Sequence, residues 1–123
     1  MSEEFSLVKI NRVKDPKKLT DMEKKHTPVI NAPDSVKSKE PFTVSIKIGG
    51  IDGVEHPNIL GHWINWLELY AGERFLGRAE FAPTVSTPET TFHIILEGPA
   101  ELRVIEYCNL HGLWESKKKI DVK

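Results

Sequence analysis

Cys108 is the only cysteine of the chain, and His111 follows three residues later in Cys108-Asn-Leu-His111. A lone thiol cannot close an internal disulfide, which leaves a buried apolar side chain, a reactive nucleophile or a metal thiolate. The Cys-x-x-His spacing favours the metal, because a short turn lets both side chains reach one ion. Three further histidines stand beside turns: His56 and His62 flank His56-Pro-Asn-Ile-Leu-Gly-His62, and His26 lies in Lys24-Lys-His-Thr-Pro-Val-Ile30. Four imidazoles and one thiolate at strand ends could converge on one rim of a domain, where loops are free to aim side chains. The plainer alternative is a set of solvated or capped loop histidines. His93 serves as the control. It alternates with Phe92 and Ile94, so it points away from the apolar face and is expected at the surface or in a cross-strand pair.

Elements of particular kinds must hold these residues. The 123 residues suit a single domain, 1–123, with a largely polar and charged arm over residues 1–20 whose apolar residues include Phe5, Leu7, Val8 and Ile10. Asp15-Pro16 offers an N-cap with proline at the first helical position, which predicts a short helix over 16–25 that ends just before His26. Pro28 then forces Thr27 into extended geometry and starts a strand. From Pro41 the period is two. Phe42, Val44, Ile46 and Ile48 alternate with polar residues until Gly49-Gly50 ends the strand. Trp63–Tyr70 and Arg74–Phe81 form a hairpin about Ala71-Gly72-Glu73, with Phe75, Ala79 and Phe81 on one face. Thr90–Leu96, Ala100–Tyr107 and Leu113 to about Val122 complete the set. This pattern predicts an all-β fold, a seven-stranded antiparallel immunoglobulin-like β-sandwich with a short helix before the first metal ligand. Trp63, Trp66 and Trp114 are expected in the core or as a hydrophobic collar beside the site. Lys117–Lys119 is expected to be a solvated strand end.

With 17 Lys and Arg against 18 Asp and Glu, the formal charge is -1, so no global field holds nucleic acid or an anionic membrane. No leader-like N-terminus and no apolar run of membrane-spanning length is visible, so a cytoplasmic location is expected, where a thiolate stays reduced.

Across residues 22–115 the chain resembles the superoxide reductases, in particular their one-iron, neelaredoxin-like branch. The resemblance rests on Glu23-Lys-Lys-His-Thr-Pro-Val-Ile30, on His56-Pro57 with His62-Trp63-Ile64 and Trp66, and on Glu106-Tyr-Cys-Asn-Leu-His-Gly-Leu-Trp114. It implies one mononuclear iron, since the cysteine-rich second iron domain of some members has no counterpart in a chain with one cysteine. It implies that His26, His56, His62 and His111 bind that iron in one plane, with the Cys108 thiolate on the axis and the opposite position open. An axial thiolate pushes electron density toward the group trans to it. The implied reaction gives superoxide one electron and two protons, releases hydrogen peroxide, and needs an outside donor, often rubredoxin in that family. Homotetramers are also common there. The family pattern reads Glu-Lys-His, whereas this chain reads Glu23-Lys24-Lys25-His26. Either Lys25 takes the lysine place and Lys24 the glutamate place, or one residue loops out and Glu23 still reaches the iron with Lys24 as the functional lysine.

Two other functions share parts of this pattern. A blue-copper electron-transfer protein also places a cysteine and a histidine on one loop of a sandwich. It needs a weak axial methionine, and neither Met1 nor Met22 follows Cys108. A structural zinc domain is four-coordinate and closed, which leaves a fifth ligand unexplained.

Overall fold

The computed structural model describes residues 5–123, so residues 1–4 of the expected arm lie outside the described residues. One helix, α1 (Asp21–His26), is followed by β1 (Pro28–Asn31), β2 (Ser35–Val36), β3 (Phe42–Ile51), β4 (Val54–Glu55), β5 (Ile64–Ala71), β6 (Arg74–Glu80), β7 (Glu89–Ile94), β8 (Ala100–Cys108) and β9 (Gly112–Val122). With the two-residue β2 and β4 set aside, seven longer strands remain. In one sheet β1, β4 and β7 all pair with β3, and the other runs β2-β9-β8-β5-β6.

The alternation read from the sequence is what closes these sheets on one another. Val44, Ile46 and Ile48 of β3 face Leu67 and Leu69 of β5, Leu102 and Val104 of β8, and Ile120 of β9 in one core. Full burial of each such side chain contributes roughly 1.5–3 kcal/mol before the entropic cost of ordering it. A β-sandwich is the result.

Four details depart from the sequence reading. The helix begins at Asp21, because Thr20 caps it with a full capping box to Glu23, whereas Asp15 accepts from the Lys17 N–H in a local turn. His26 is therefore the last helical residue and does not lie beyond the helix. β3 runs through Gly49 and Gly50, at φ 80° and 83°, with a register shift against β4, so the glycines bend the strand without ending it. A second shift in the β5–β6 hairpin changes the parity of β6. Phe75 is 53 % exposed, while Leu76 packs on the core. Finally, β2 pairs with β9 in parallel, an exception to the antiparallel plan.

Register gathers one end of the sandwich. Ile64, Cys108 and Gly112 stand opposite one another at the ends of β5, β8 and β9. Pro28 pairs with Ile48, and Gly49 with Glu55, so His26 and His56 are delivered to the same end by the strands they adjoin.

Candidate metal centre

Four imidazole rings close a loop at this end. Ring centroids lie 4.7 Å apart for His26–His56, 4.6 Å for His56–His62, 4.9 Å for His62–His111 and 4.8 Å for His111–His26, while the His26–His62 diagonal is 6.3 Å. Four near-equal sides and a longer diagonal are the proportions of a puckered square. Cys108, fully buried, places Sγ 3.3 Å from His56 Nε2 and 3.8 Å from His111 Nδ1. One candidate ligand atom from each of His26, His56, His62 and Cys108 falls within 4.8 Å of all the others.

Two of the ring tautomers are set from behind. His26 Nδ1 donates to the Met22 carbonyl at 2.7 Å, one helical turn back, and His56 Nδ1 donates to the Pro57 carbonyl at 2.6 Å. Each Nε2 is thereby left with its lone pair inward, the arrangement in which backbone carbonyls orient metal-binding histidines. His26 Nε2 and His62 Nε2 are buried with no hydrogen-bond partner. Buried lone pairs are rarely left so, and a cation between them would satisfy both.

Electrostatics point the same way. Burial, assisted by the neighbouring imidazoles, lowers His26 to about 3, and burial lowers His56 to about 4. His62 and His111 are lowered too, again first by burial. All four rings are therefore neutral donors at neutral pH. Burial pushes the Cys108 thiol up to about 11, the opposite of what an activated nucleophile needs. A cation bound against the sulfur would favour the thiolate, so burial supports the metal reading over the reactive nucleophile. The imidazole and thiolate donors fit iron, zinc or copper and do not suit the hard ions that prefer carboxylates.

Glu23, expected as a further ligand, is not brought to this cluster. Its buried carboxylate accepts from the Thr20 N–H at 2.8 Å and the Lys14 N–H at 3.0 Å, closing the capping box and tying down the arm. The helix bonds Lys24 N to Thr20 O and Thr27 N to Glu23 O are intact, so no residue loops out before His26. The two lysines also part company. Lys24 pairs with Asp52 at 3.2 Å, whereas the charge of Lys25 acts on His56, His62 and His111. Lys25 is thus the lysine whose charge is felt at the ring.

Several supporting residues escaped the sequence reading. Asn109 accepts from Trp63 N at 2.9 Å and donates to Gly61 O at 2.8 Å, which locks the Cys108–His111 turn to the His56–His62 loop. Its place inside the Cys-Asn-Leu-His turn was the available signal. A Cβ on Gly49 would sit 2.5 Å from Lys25 O, so only glycine lets β3 approach the end of α1. Glu106 continues the inward alternation of Leu102 and Val104 toward Cys108. It is fully buried with neither carboxylate oxygen partnered, and burial holds its pKa well above the usual range. Phe5 of the arm meets His111 edge-on at 4.7 Å.

Of the tryptophans, the fully buried Trp114 meets both expectations, lying in the interior and against a site histidine. Trp114 stacks on His26 at 5.0 Å and donates from Nε1 to His111 O, while Trp66 stacks on Tyr107 under the guanidinium of Arg78. His93 is exposed and lies 3.2 Å from Thr43 Oγ1 across the β3–β7 pair, as its alternation predicted. No helix among the described residues is long and apolar enough to cross a membrane.

Comparison with known proteins bears on this geometry. Residues 18–117 match the family model described as desulfoferrodoxin. Neelaredoxin from Megalodesulfovibrio gigas is 31 % identical over 80 % of this chain and 88 % of its own length. The solved superoxide reductase (neelaredoxin) of Ignicoccus hospitalis is 42 % identical, with a TM-score of 0.72 over 80 % of this chain and 81 % of that one. The superoxide reductase (neelaredoxin) of Archaeoglobus fulgidus is 29 % identical, with a TM-score of 0.70 over 91 % of this chain and 98 % of that one.

Proposed function

Because this chain belongs to the superoxide reductase family, we propose that it reduces superoxide to hydrogen peroxide at a single iron held by His26, His56, His62, His111 and Cys108. The closed loop of four imidazoles, with two buried and unpartnered Nε2 atoms beside a buried sulfur, is the observation that carries this reading. Iron bound there would supply the one electron that superoxide accepts.

The protein's own residues supply the rest. Neutral rings mean that four nitrogen donors need no deprotonation, and the pre-set tautomers of His26 and His56 mean that those two need little reorientation. Cys108 must lose its proton on metal entry, so loading releases a proton and weakens as pH falls. Lys25 places a positive charge beside the ring and attracts the superoxide anion, and Lys24 contributes less because Asp52 partly neutralises it. Glu23 holds the helix that ends in His26 and the arm that carries Phe5. The electron spent in each cycle returns from an external donor of the rubredoxin kind.

Metal analysis with electron paramagnetic resonance of the oxidised protein, followed by pulse radiolysis, tests the reading. High-spin ferric iron at one per chain and rapid reduction of superoxide by the ferrous form are expected. Cys108→Ser should keep the far-ultraviolet circular dichroism of the sandwich and lose the reaction. A one-half-spin copper signal or stoichiometric silent zinc would overturn the iron assignment, and near-normal turnover by Cys108→Ser would remove the thiolate.

A further inference from the structure

Three loops at the metal-site end carry exposed apolar side chains: Ile59 (58 % exposed), Leu60 (75 %), Val85 (82 %) and Leu110 (49 %). They belong to one surface, because hydrogen bonds lace the loops together. Ile59 and His62 exchange backbone bonds of 3.1 Å, which makes Leu60-Gly61 the tip of a tight turn between two histidines of the ring. Asn58 donates to Ser86 O at 3.1 Å and accepts from Thr84 N at 2.7 Å, fixing Val85 beside that turn. Asn109 donates to Gly61 O, fixing Leu110, which itself lies between Cys108 and His111.

Single exposed apolar residues need no explanation, but a laced group around the mouth of a site does. Charge is also missing from it. Residues 56–63, 82–88 and 108–113 contain no Asp, Glu, Lys or Arg, in a chain where 28 % of residues are charged. Depletion of charge at the centre with charge kept to the margin is the composition of a protein interface. The marginal charge that reaches this ring is the ammonium of Lys25.

We propose that Ile59, Leu60, Val85 and Leu110 form the docking surface for a small electron-donor protein whose own redox group lies under an apolar face with an acidic rim. The inference rests on the superoxide-reducing reading, which consumes one electron per cycle from outside. Cys108 is the sole cysteine and already belongs to the ring, so the chain holds no second thiolate-bound centre to relay that electron. A donor seated on Leu110 approaches the backbone that joins Cys108 to His111, the shortest covalent path inward. The acidic rim answers Lys25. Ascorbate, being small, needs no such surface.

The experiment compares wild type with the double variant Leu60→Gln/Val85→Gln. Both side chains point to solvent, neither lies in the ligand set, and the changes add no charge. Three rates are measured on the iron-loaded protein: ferrous form with superoxide, ferric form with ascorbate, and ferric form with reduced rubredoxin as the probe donor. The first two should match wild type, while the second-order rate with rubredoxin falls roughly tenfold, the loss expected from removing one to two well-packed apolar anchors. An unchanged rubredoxin rate in the variant overturns the docking surface, as does a wild-type protein that accepts electrons from ascorbate but not from rubredoxin. A lower oligomeric mass for the variant in sedimentation would assign the surface to a second copy of the chain and also overturn it. Failure of the wild-type ferrous protein to reduce superoxide would instead refute the underlying function, so the two failures are separable.

Discussion

Replacing Glu23 with alanine separates a structural carboxylate from an iron ligand, since the two roles predict opposite outcomes. The side chain is 3 % exposed and both oxygens are engaged, one by Thr20 N and the other by Lys14 N. Loss of the reciprocal half of the capping box costs about 1 kcal/mol. Stranding the partly buried Lys14 N–H, whose partner is a carboxylate, adds about 1.5 kcal/mol. The sum, about 2.5 kcal/mol, corresponds to a melting temperature lower by roughly 10 °C, at about 4 °C per kcal/mol for a chain of this size. Glu23→Gln keeps an acceptor for Thr20 and should recover about half of the loss. Thermal unfolding of the metal-free protein reads these shifts, and the visible spectrum of the ferric protein should be the same in all three. A melting temperature within a degree of wild type, or a ferric spectrum that changes in Glu23→Ala, would refute the reasoning and return Glu23 to the iron.

The other predictions follow from single contacts. Gly49→Ala forces a Cβ against Lys25 O at a positive-φ position and should destabilise by roughly 2–3 kcal/mol while weakening iron retention, because His26 is displaced with the helix end; denaturant melts and chelator-competition rates check both. Lys25→Ala should lower the second-order rate with superoxide several-fold at low salt, and the deficit should shrink as the Debye length falls from about 10 Å at 0.1 M to about 3 Å at 1 M. Lys24→Ala should have the smaller effect, and equal deficits in the two variants across a salt series would contradict the assignment of Lys25 as the facing charge. Burial raises the Glu115 pKa, but bonds from Arg12 and Arg103 outweigh it and hold the carboxyl below its ordinary 4.5. A carboxyl depressed in the folded state binds fewer protons there, so its stabilisation is complete above about pH 4.5 and is lost as pH falls through the folded value. The gap between wild type and Glu115→Gln in urea unfolding should therefore be constant at neutral pH and close on acidification.

Much of the site was legible because its information is local. Cys108, His111, His56, His62 and His26 announce themselves by chemical type and by their places beside turns, and the strands by a period of two that any half-buried strand must show. Glu23, Lys24 and Lys25 could not be sorted from sequence. Three adjacent residues on a short helix differ in direction by about 100° each, so which one faces the ring depends on where the helix starts. That start was decided by Thr20, whose hydroxyl accepts from Glu23 N, and not by the Asp15-Pro16 pair that looks equally suited to capping. The parity of β6 likewise turned on one extra residue at Leu76, and the tie from Asn109 to Gly61 spans loops far apart in the chain. Composition and periodicity settle what each segment can form, because backbone sterics and apolar burial act over a few residues. Which carboxylate is drawn away and which lysine faces the ring follow from the local capping contacts of one short helix, whereas which nitrogens meet is fixed only when distant strands come into register, since that choice rests on contacts between residues the chain order does not bring together.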